Sequence, residues 1–275
     1  MAAKTSTRPH ALVTGASSGI GAVFAERLAH DGYDLIVVGR RREKLEALAE
    51  RLKKDQKTTG VNVEVLVADL SKPADLHAVE KHISEDKALE LLVNNAGFGG
   101  YMPFAQLDPD VAEELINVQV LAVTRLTRAA LPGMLARGKG AIINVSSRLA
   151  FSGSLGSSQM PKRATYVAAK AYINAFTQLL HSELEGTGVQ VQALCPGVVA
   201  TEFHARMGID SHQYPPAIVM KAEDVVAASL AGLKSGEVIC IPALDDPGLL
   251  TQIHESERRL FETTRTGSLA RRYEP

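Results

Sequence analysis

The chain predicts an α/β fold: a doubly wound parallel sheet with helices on both faces, in one domain over residues 1–275. Three observations predict it. Short β-branched runs alternate with longer amphipathic stretches from one end to the other, the pattern of repeated strand–helix units. Most short runs are continuously apolar rather than strictly alternating, as strands buried on both faces are. The first run also passes directly into a glycine-rich turn and then a helical pattern.

Taken in order, the strand expectations are Ala11–Thr14, Asp34–Val38, Asn62–Val67, Leu89–Val93, Ala141–Val145, Val189–Leu194 and Val238–Ile241. Helical stretches lie between them. Val23, Phe24 and Leu28 follow the glycine turn at helical spacing. Ser71 before Lys72-Pro73, and Asp108 before Pro109, each put a cap residue ahead of a proline in the first turn. Glu113 and Glu114 are expected near the positive end of the second of these helices. From about Thr165 to Glu185 the chain is apolar on more than one face, with Phe176, Leu179, Leu180 and Leu184, so this helix is buried in the core or against a partner. Pro247 to Arg265 reads as one more helix. With no composition break, long linker or repeat, a single domain is expected, with a substrate-loop region at about 198–220 and a helical tail at about 247–275.

Composition narrows the partners. Hydrophobic residues are 45% of the chain, charged residues 22%, and the net charge is −1, so no basic field draws it to nucleic acid or an anionic membrane. The polar stretch Met1 to His10 leads into no signal peptide, and no apolar run approaches membrane-spanning length. Cys195 and Cys240 show neither pairing nor metal spacing and are expected reduced at strand ends, which fits a cytoplasmic protein. The eight histidines have no ligand spacing, so no metal site is expected.

The turn Thr14-Gly15-Ala16-Ser17-Ser18-Gly19-Ile20-Gly21 lets a phosphate approach the backbone, and the helix start behind it offers free N–H groups and a positive dipole end. At the end of the second strand an acid would bind the ribose 2′-hydroxyl of NAD, whereas arginine suits the 2′-phosphate of NADP. The sequence there is Val38-Gly39-Arg40-Arg41-Arg42, with no acid until Glu43, which favours NADP(H) over NAD(H). Tyr166 and Lys170, four apart on a helix, put a phenol and an ammonium on one face one turn apart. Such a charge is expected to draw the phenol pKa down from about 10, so that it exchanges a proton with a substrate oxygen.

Together these residues resemble the short-chain dehydrogenase/reductase family. The resemblance covers residues 11 to about 201 and rests on the Thr14–Gly21 turn, Asp69-Leu70, Asn94-Asn95-Ala96-Gly97, Asn144-Val145-Ser146-Ser147, Tyr166 with Lys170, and Pro196-Gly197 with Thr201. It is strongest toward reductase-like members with arginine after the second strand. It implies a Rossmann-type domain and hydride transfer between a nicotinamide and a small-molecule carbonyl or alcohol. By family role, Gly15, Ser17, Ser18, Gly19, Ile20 and Gly21 would cradle the phosphates, with Arg40 and Arg41 at the 2′-phosphate. Asp69 and Leu70 would hold the adenine, Asn95, Ala96 and Gly97 would support the cofactor, and Pro196, Gly197, Val199 and Thr201 would lie along the nicotinamide. Tyr166 would be the acid in reduction, Lys170 would hold the nicotinamide ribose and depress the Tyr166 pKa, and Ser147 would steady the carbonyl oxygen. The family also implies a homodimer or homotetramer joined through the helix carrying Tyr166.

Two departures stand out. Ser147 and Tyr166 are 19 positions apart, wider than the family usually shows. The intervening Arg148–Thr165, with Met160-Pro161-Lys162-Arg163, reads as a loop over the pocket or a plain surface insertion, and leaves Ser146 and Ser147 competing for one role. Where the family carries a catalytic asparagine, registering on Leu126-Thr127-Arg128 and Pro132-Gly133-Met134 brings Gln119, with Asn117 two residues earlier. Gln119 is assigned to the proton relay, the alternative being plain helix surface. By the same resemblance the stretch Val198 to Met220, with His204, Met207, His212 and Tyr214, would close over the substrate, with His204 either touching it or an ordinary exposed loop residue. Two other classes of function stay open: an NADP(H)-binding sensor without turnover, which Gln119 favours and Tyr166 opposes, and a redox-neutral isomerase, epimerase or dehydratase.

Overall fold

The computed structural model of the chain describes residues 8–155, 163–203 and 214–273. The chain divides into two compact units, Met1–Pro242 and Ala243–Pro275.

The first unit carries strands β1 (His10–Thr14), β2 (Asp34–Gly39), β3 (Val63–Val67), β4 (Leu89–Asn94), β5 (Gly140–Val145), β6 (Val189–Leu194), β7 (Val198–Val199), β8 (Val219–Met220) and β9 (Ile239–Cys240). Seven of them form one parallel sheet in the order β3-β2-β1-β4-β5-β6-β9. β7 and β8 pair separately, Val198 with Val219 and Val199 with Met220. The helices are α1 (Gly19–His30), α2 (Arg42–Lys54), α3 (Pro73–Glu85), α4 (Pro109–Ile116), α5 (Ala122–Arg137), α6 (Ala164–Glu183) and α7 (Ala222–Ser235).

Strand residues alternate between two cores because successive side chains point to opposite faces. Ala11 and Val13 pack with Phe24 and Leu28 of α1, Leu45 of α2 and Val225 of α7. Leu12 packs on the other face with Val79 of α3, Leu126 and Met134 of α5 and Leu180 of α6. Both faces are apolar, which is why the strands read as unbroken hydrophobic runs. The chain reverses direction across the sheet between β1 and β4, and the loops leaving their carboxyl ends part there to open a crevice.

Local signals hold in part. Asp108 caps α4 by accepting from the Asp110 N–H at 2.8 Å. Ser71 does not cap α3: the cap position is Lys72, and the Ser71 hydroxyl donates instead to Asp69 Oδ1 at 2.8 Å, a charged acceptor two residues away. Glu114 lies in the second turn of α4 rather than at its start, and its partner is Arg40 of the β2–α2 turn. Between α4 and α5 the helix widens into a π-helical turn at Asn117–Leu121. α6 buries Tyr166, Lys170, Ile173, Thr177 and Leu180 but leaves Leu179 and Tyr172 exposed. Among the described residues no helix is long and apolar enough to cross a membrane. The second unit consists of α8 (Gly248–Thr263) and the turns around it, and buries no residue of that helix.

Candidate active site

A cavity of about 880 Å³ opens at the carboxyl ends of β1, β2, β4, β5 and β6. Its floor is fastened by the strands' last residues. Thr14 Oγ1 accepts from the Asn95 and Ala96 N–H groups at 2.9 and 3.0 Å, and Asn95 Nδ2 donates back to the Thr14 carbonyl at 2.9 Å. Behind it Asn94 Nδ2 donates to Asn144 Oδ1 at 2.9 Å and to Thr127 Oγ1 at 3.1 Å, and Asn144 Nδ2 donates to Thr177 Oγ1 at 3.1 Å. This buried chain ties β4 and β5 to α5 and α6, so the two ends of the site are fixed to one frame.

One end is the glycine turn. Gly15 has φ +68°, and a Cβ there would lie 2.9 Å from Ala96 Cα, so β1 and β4 meet only with glycine at this point. A Cβ on Gly21 would strike Asn95 Nδ2 and the Gly15 carbonyl. Ser17, Ser18, Gly19 and Ile20 line the cavity. Ser18, the cap of α1, makes no side-chain cap bond, leaving the first-turn N–H groups as the helix's unpaired donors. Arg40, Arg41, Asp69 and Leu70 line the same end. Arg40 Nη1 lies 2.9 Å from Glu114 Oε1 and 3.7 Å from Asp69 Oδ2. Burial would raise the Asp69 carboxyl, but hydrogen bonds from Ser71 and the Arg40 charge outweigh it and hold the group below the usual carboxylate range. This donor set fits a dinucleotide phosphate: open backbone N–H groups, serine hydroxyls and guanidinium groups around a cradle that a side chain would fill.

The other end holds Tyr166, Lys170 and the two serines, all buried. Ser147 hydrogen-bonds the Tyr166 side chain, whereas Ser146 Oγ donates to the Lys170 carbonyl at 3.0 Å, so the structure separates the two serines. Lys170 Nζ donates to the Val145 carbonyl at 2.8 Å and stands 5.5 Å from the centre of the Tyr166 ring. The pKa relation expected from the four-residue spacing is not that of the resting site. Burial pushes the Tyr166 phenol above its ordinary range, and the neighbouring Tyr101 adds to this against weaker opposition from Ser147 and Arg163. Burial also lowers Lys170 to about 7, so at neutral pH it carries only part of the charge that would draw the phenol down. Pro196, Gly197, Val199 and Thr201 line the cavity as well, as do Asn95, Ala96 and Gly97.

Gln119 is fully buried in the π-helical turn and is not among the residues that line the cavity. Its Nε2 donates to the Phe98 carbonyl at 2.7 Å, and its Oε1 lies 3.1 Å from where a Cβ on Gly97 would be. Tyr101, which no sequence expectation named, completes the pocket with Arg163 and Phe203 from the two segments expected over it. The Tyr101 ring meets Tyr166 edge-on at 5.5 Å and hydrogen-bonds its side chain, the Arg163 guanidinium lies 4.2 Å over the Tyr101 ring, and Phe203 stands 6.1 Å from Tyr166. Tyr214 lines the cavity, whereas His204, Met207, His212 and Met160-Pro161-Lys162 lie outside the described residues. Among the described residues no group of three or more His, Cys, Asp or Glu is placed to hold a metal ion.

The chain is similar to a solved short-chain dehydrogenase from Sphingobium yanoikuyae in complex with NADPH, at 38% identity and TM-score 0.89, covering 96% of this chain and all (100%) of that one. It is similar to the bulky-bulky ketone specific alcohol dehydrogenase from Comamonas testosteroni, at 33% identity and TM-score 0.86, over 98% and 100% of the two chains. It is 36% identical over 197 residues to inactive hydroxysteroid dehydrogenase-like protein 1 of Homo sapiens, covering 71% of this chain and 57% of that relative, and so spans little more than half its length. The model of the family described as short chain dehydrogenase matches residues 9–211, which include every strand from β1 to β7. With the sheet order and the crevice of that fold, the chain belongs to the short-chain dehydrogenase family.

Proposed function

We propose that this protein is an NADP(H)-dependent carbonyl reductase or alcohol dehydrogenase acting on a bulky, largely apolar substrate. The observation that carries the reading is one continuous cavity with a phosphate cradle and two arginines at one end and the Ser147–Tyr166 pair at the other. The likeness to a dehydrogenase holding NADPH supports the cofactor, and the likeness to a bulky-ketone enzyme supports the substrate class. The aromatic wall of Phe98, Tyr101, Phe203 and Tyr214 suits a substrate with apolar groups on both sides of its carbonyl.

In this reading Gly19, Ile20, Arg40 and Arg41 would hold the phosphates, Asp69 and Leu70 the adenine, and Thr201 and Val199 the nicotinamide, and the bound cofactor would supply or accept the hydride. Tyr166 stays protonated in its dry pocket and so stands ready as the acid for a carbonyl oxygen. Ser147, hydrogen-bonded to that phenol, steadies the charge that develops on the oxygen. Lys170, whose Nζ donates to the Val145 carbonyl, would hold the nicotinamide ribose. Gln119 is assigned as a positioning residue that fixes the Gly97–Phe98 backbone from behind. Assembly as a homodimer or homotetramer through α6 belongs to the same reading, supported by exposed Tyr172 and Leu179, seven residues apart on one side of that helix.

A second reading, cofactor binding without turnover, is favoured by Gln119, which does not itself line the cavity and whose Nε2 is taken up by the Phe98 backbone carbonyl, and by the likeness to a relative named inactive. NADPH oxidation over a panel of aldehydes and ketones, with Tyr166→Phe as control, separates the two. Turnover lost in the variant, with cofactor affinity nearly unchanged, supports the reductase. Binding without turnover across the panel favours the second reading, and product formed without net NADPH consumption favours redox-neutral chemistry.

A further inference from the structure

The arginine at the cavity mouth is already engaged. Arg41 Nε and Nη2 donate to Ser17 Oγ at 3.1 and 2.8 Å, and Nη2 donates to Ser18 Oγ at 2.7 Å. Its Nη1 donates to Glu202 Oε2 at 2.8 Å, and Lys44 Nζ donates to both Glu202 oxygens at 2.7 and 2.9 Å. Glu202 comes from beyond β7, 161 positions from Arg41 and 158 from Lys44, and follows Thr201 on the cavity wall. One carboxylate therefore gathers two cations and, through Arg41, two serine hydroxyls. That is the donor set a phosphate monoester takes.

The setting is that of an exchangeable anion rather than a strut. The side chains of Arg41, Lys44 and Glu202 are 45%, 45% and 53% exposed, so the ion pairs contribute little to stability and their loss is easily tolerated. Hydrogen bonds from Lys44 and Arg41 hold the Glu202 carboxyl down at about 2, so it is ionised throughout the working range.

We infer that Glu202 is a built-in competitor for the 2′-phosphate of NADP(H): its carboxylate occupies the anion seat of Arg41, Lys44 and Ser17, and so limits the preference for NADP(H) over NAD(H). The inference rests on the cofactor reading proposed above. A nucleotide with the 2′-phosphate must displace the carboxylate, whereas one with a bare ribose leaves it in place. The absence of an acid after β2 is thus offset by an acid delivered from across the sheet.

The test is cofactor affinity, measured by calorimetry or nucleotide fluorescence because the chain has no tryptophan. NADPH, NADH, 2′-AMP and 5′-AMP are titrated into wild type, Glu202→Gln and Arg41→Ala, with thermal unfolding to show that each variant is folded. Glu202→Gln is expected to bind NADPH and 2′-AMP about fivefold tighter, with NADH and 5′-AMP changing less than about twofold. Arg41→Ala should lose NADPH affinity selectively. If Arg41→Ala is selective but Glu202→Gln leaves NADPH unchanged or weakens it, Glu202 does not compete and the inference falls while the cofactor reading stands. If Arg41→Ala affects both nucleotides equally, the arginine does not read the 2′-phosphate and both fall together.

Discussion

Replacing Lys170 by methionine tests the electrostatics of the resting site. The amine is buried, its Nζ donates to the Val145 carbonyl, and its pKa falls from 10.5 to about 7 because burial disfavours the charge. The sign follows from proton counting. Below about pH 7 the amine is protonated in both folded and unfolded chains, and the fold bears the full cost of a buried charge. Between pH 7 and 10.5 the unfolded chain holds a proton there that the folded chain lacks, so stability rises with pH. At about 1.4 kcal/mol per pH unit, the fold is destabilised by about 5 kcal/mol at low pH, and about 2 kcal/mol of this is relieved between pH 7 and 9. The window is clean in the folded state. Burial pushes Cys195, beside Lys170, to about 12 and raises Tyr166 as well, so neither ionises there. Urea unfolding of wild type and Lys170→Met from pH 6 to 9 gives the difference, in which other titrations and the lost hydrogen bond cancel to first order. Wild type should gain about 2 kcal/mol on the variant from pH 7 to 9. A flat difference would refute the reasoning. It would mean that Lys170 keeps its charge inside the resting fold and already acts on the Tyr166 phenol.

Three further outcomes are expected. Gly21→Ala drives a methyl group into Asn95 Nδ2 and the Gly15 carbonyl, so urea unfolding should show a loss of about 1–3 kcal/mol, and NADPH affinity should fall with it. Gln119→Asn shortens the amide that reaches the buried Phe98 carbonyl at 2.7 Å and should cost about 1–3 kcal/mol in the same assay; unchanged stability would show that this bond is dispensable. Arg40→Ala removes a guanidinium between Glu114 and Asp69, and equilibrium binding should show NADPH weakened about tenfold or more while NADH changes far less.

The seven strands of the main sheet are legible in the sequence because burial on both faces writes itself into unbroken apolar runs, and only their ends shift. Asn62, Val238 and Ile241 fall outside their strands, His10, Gly39, Asn94 and Gly140 fall inside, and the short pair β7–β8 is an addition that the apolar runs do not mark. The glycine turn is legible because Gly15 and Gly21 answer a steric demand that no other residue meets. What depends on distant partners is not. The arginines after β2 read as groups suited to a 2′-phosphate, yet Arg40 meets Glu114 from 74 positions away and Arg41 meets Glu202 from 161. Gln119 aligns with a relay position, but where its amide points depends on a π-helical turn that no residue pattern announces. Spacing alone sets Lys170 against Tyr166; the desolvation that moves both pKa values comes from burial in the folded chain, which a four-residue spacing does not encode.

The sheet order also governs how the chain comes to be folded. β1 is central, flanked by β2 on one side and by β4 on the other, and β4 begins only at Leu89. During synthesis β1 can pair with β2 as soon as residue 39 is free, but its other edge waits for some fifty residues more. Through that interval an apolar strand, Ala11 to Val13, presents an open edge to any neighbouring chain. The pairing that ends the exposure also brings the Asn95 and Ala96 N–H groups onto Thr14, so an incomplete chain that lacks β4 lacks the nucleotide crevice too. Nascent chains of this protein are therefore expected to be most aggregation-prone before β4 emerges, and to gain their cofactor cradle and their protected edge in one step.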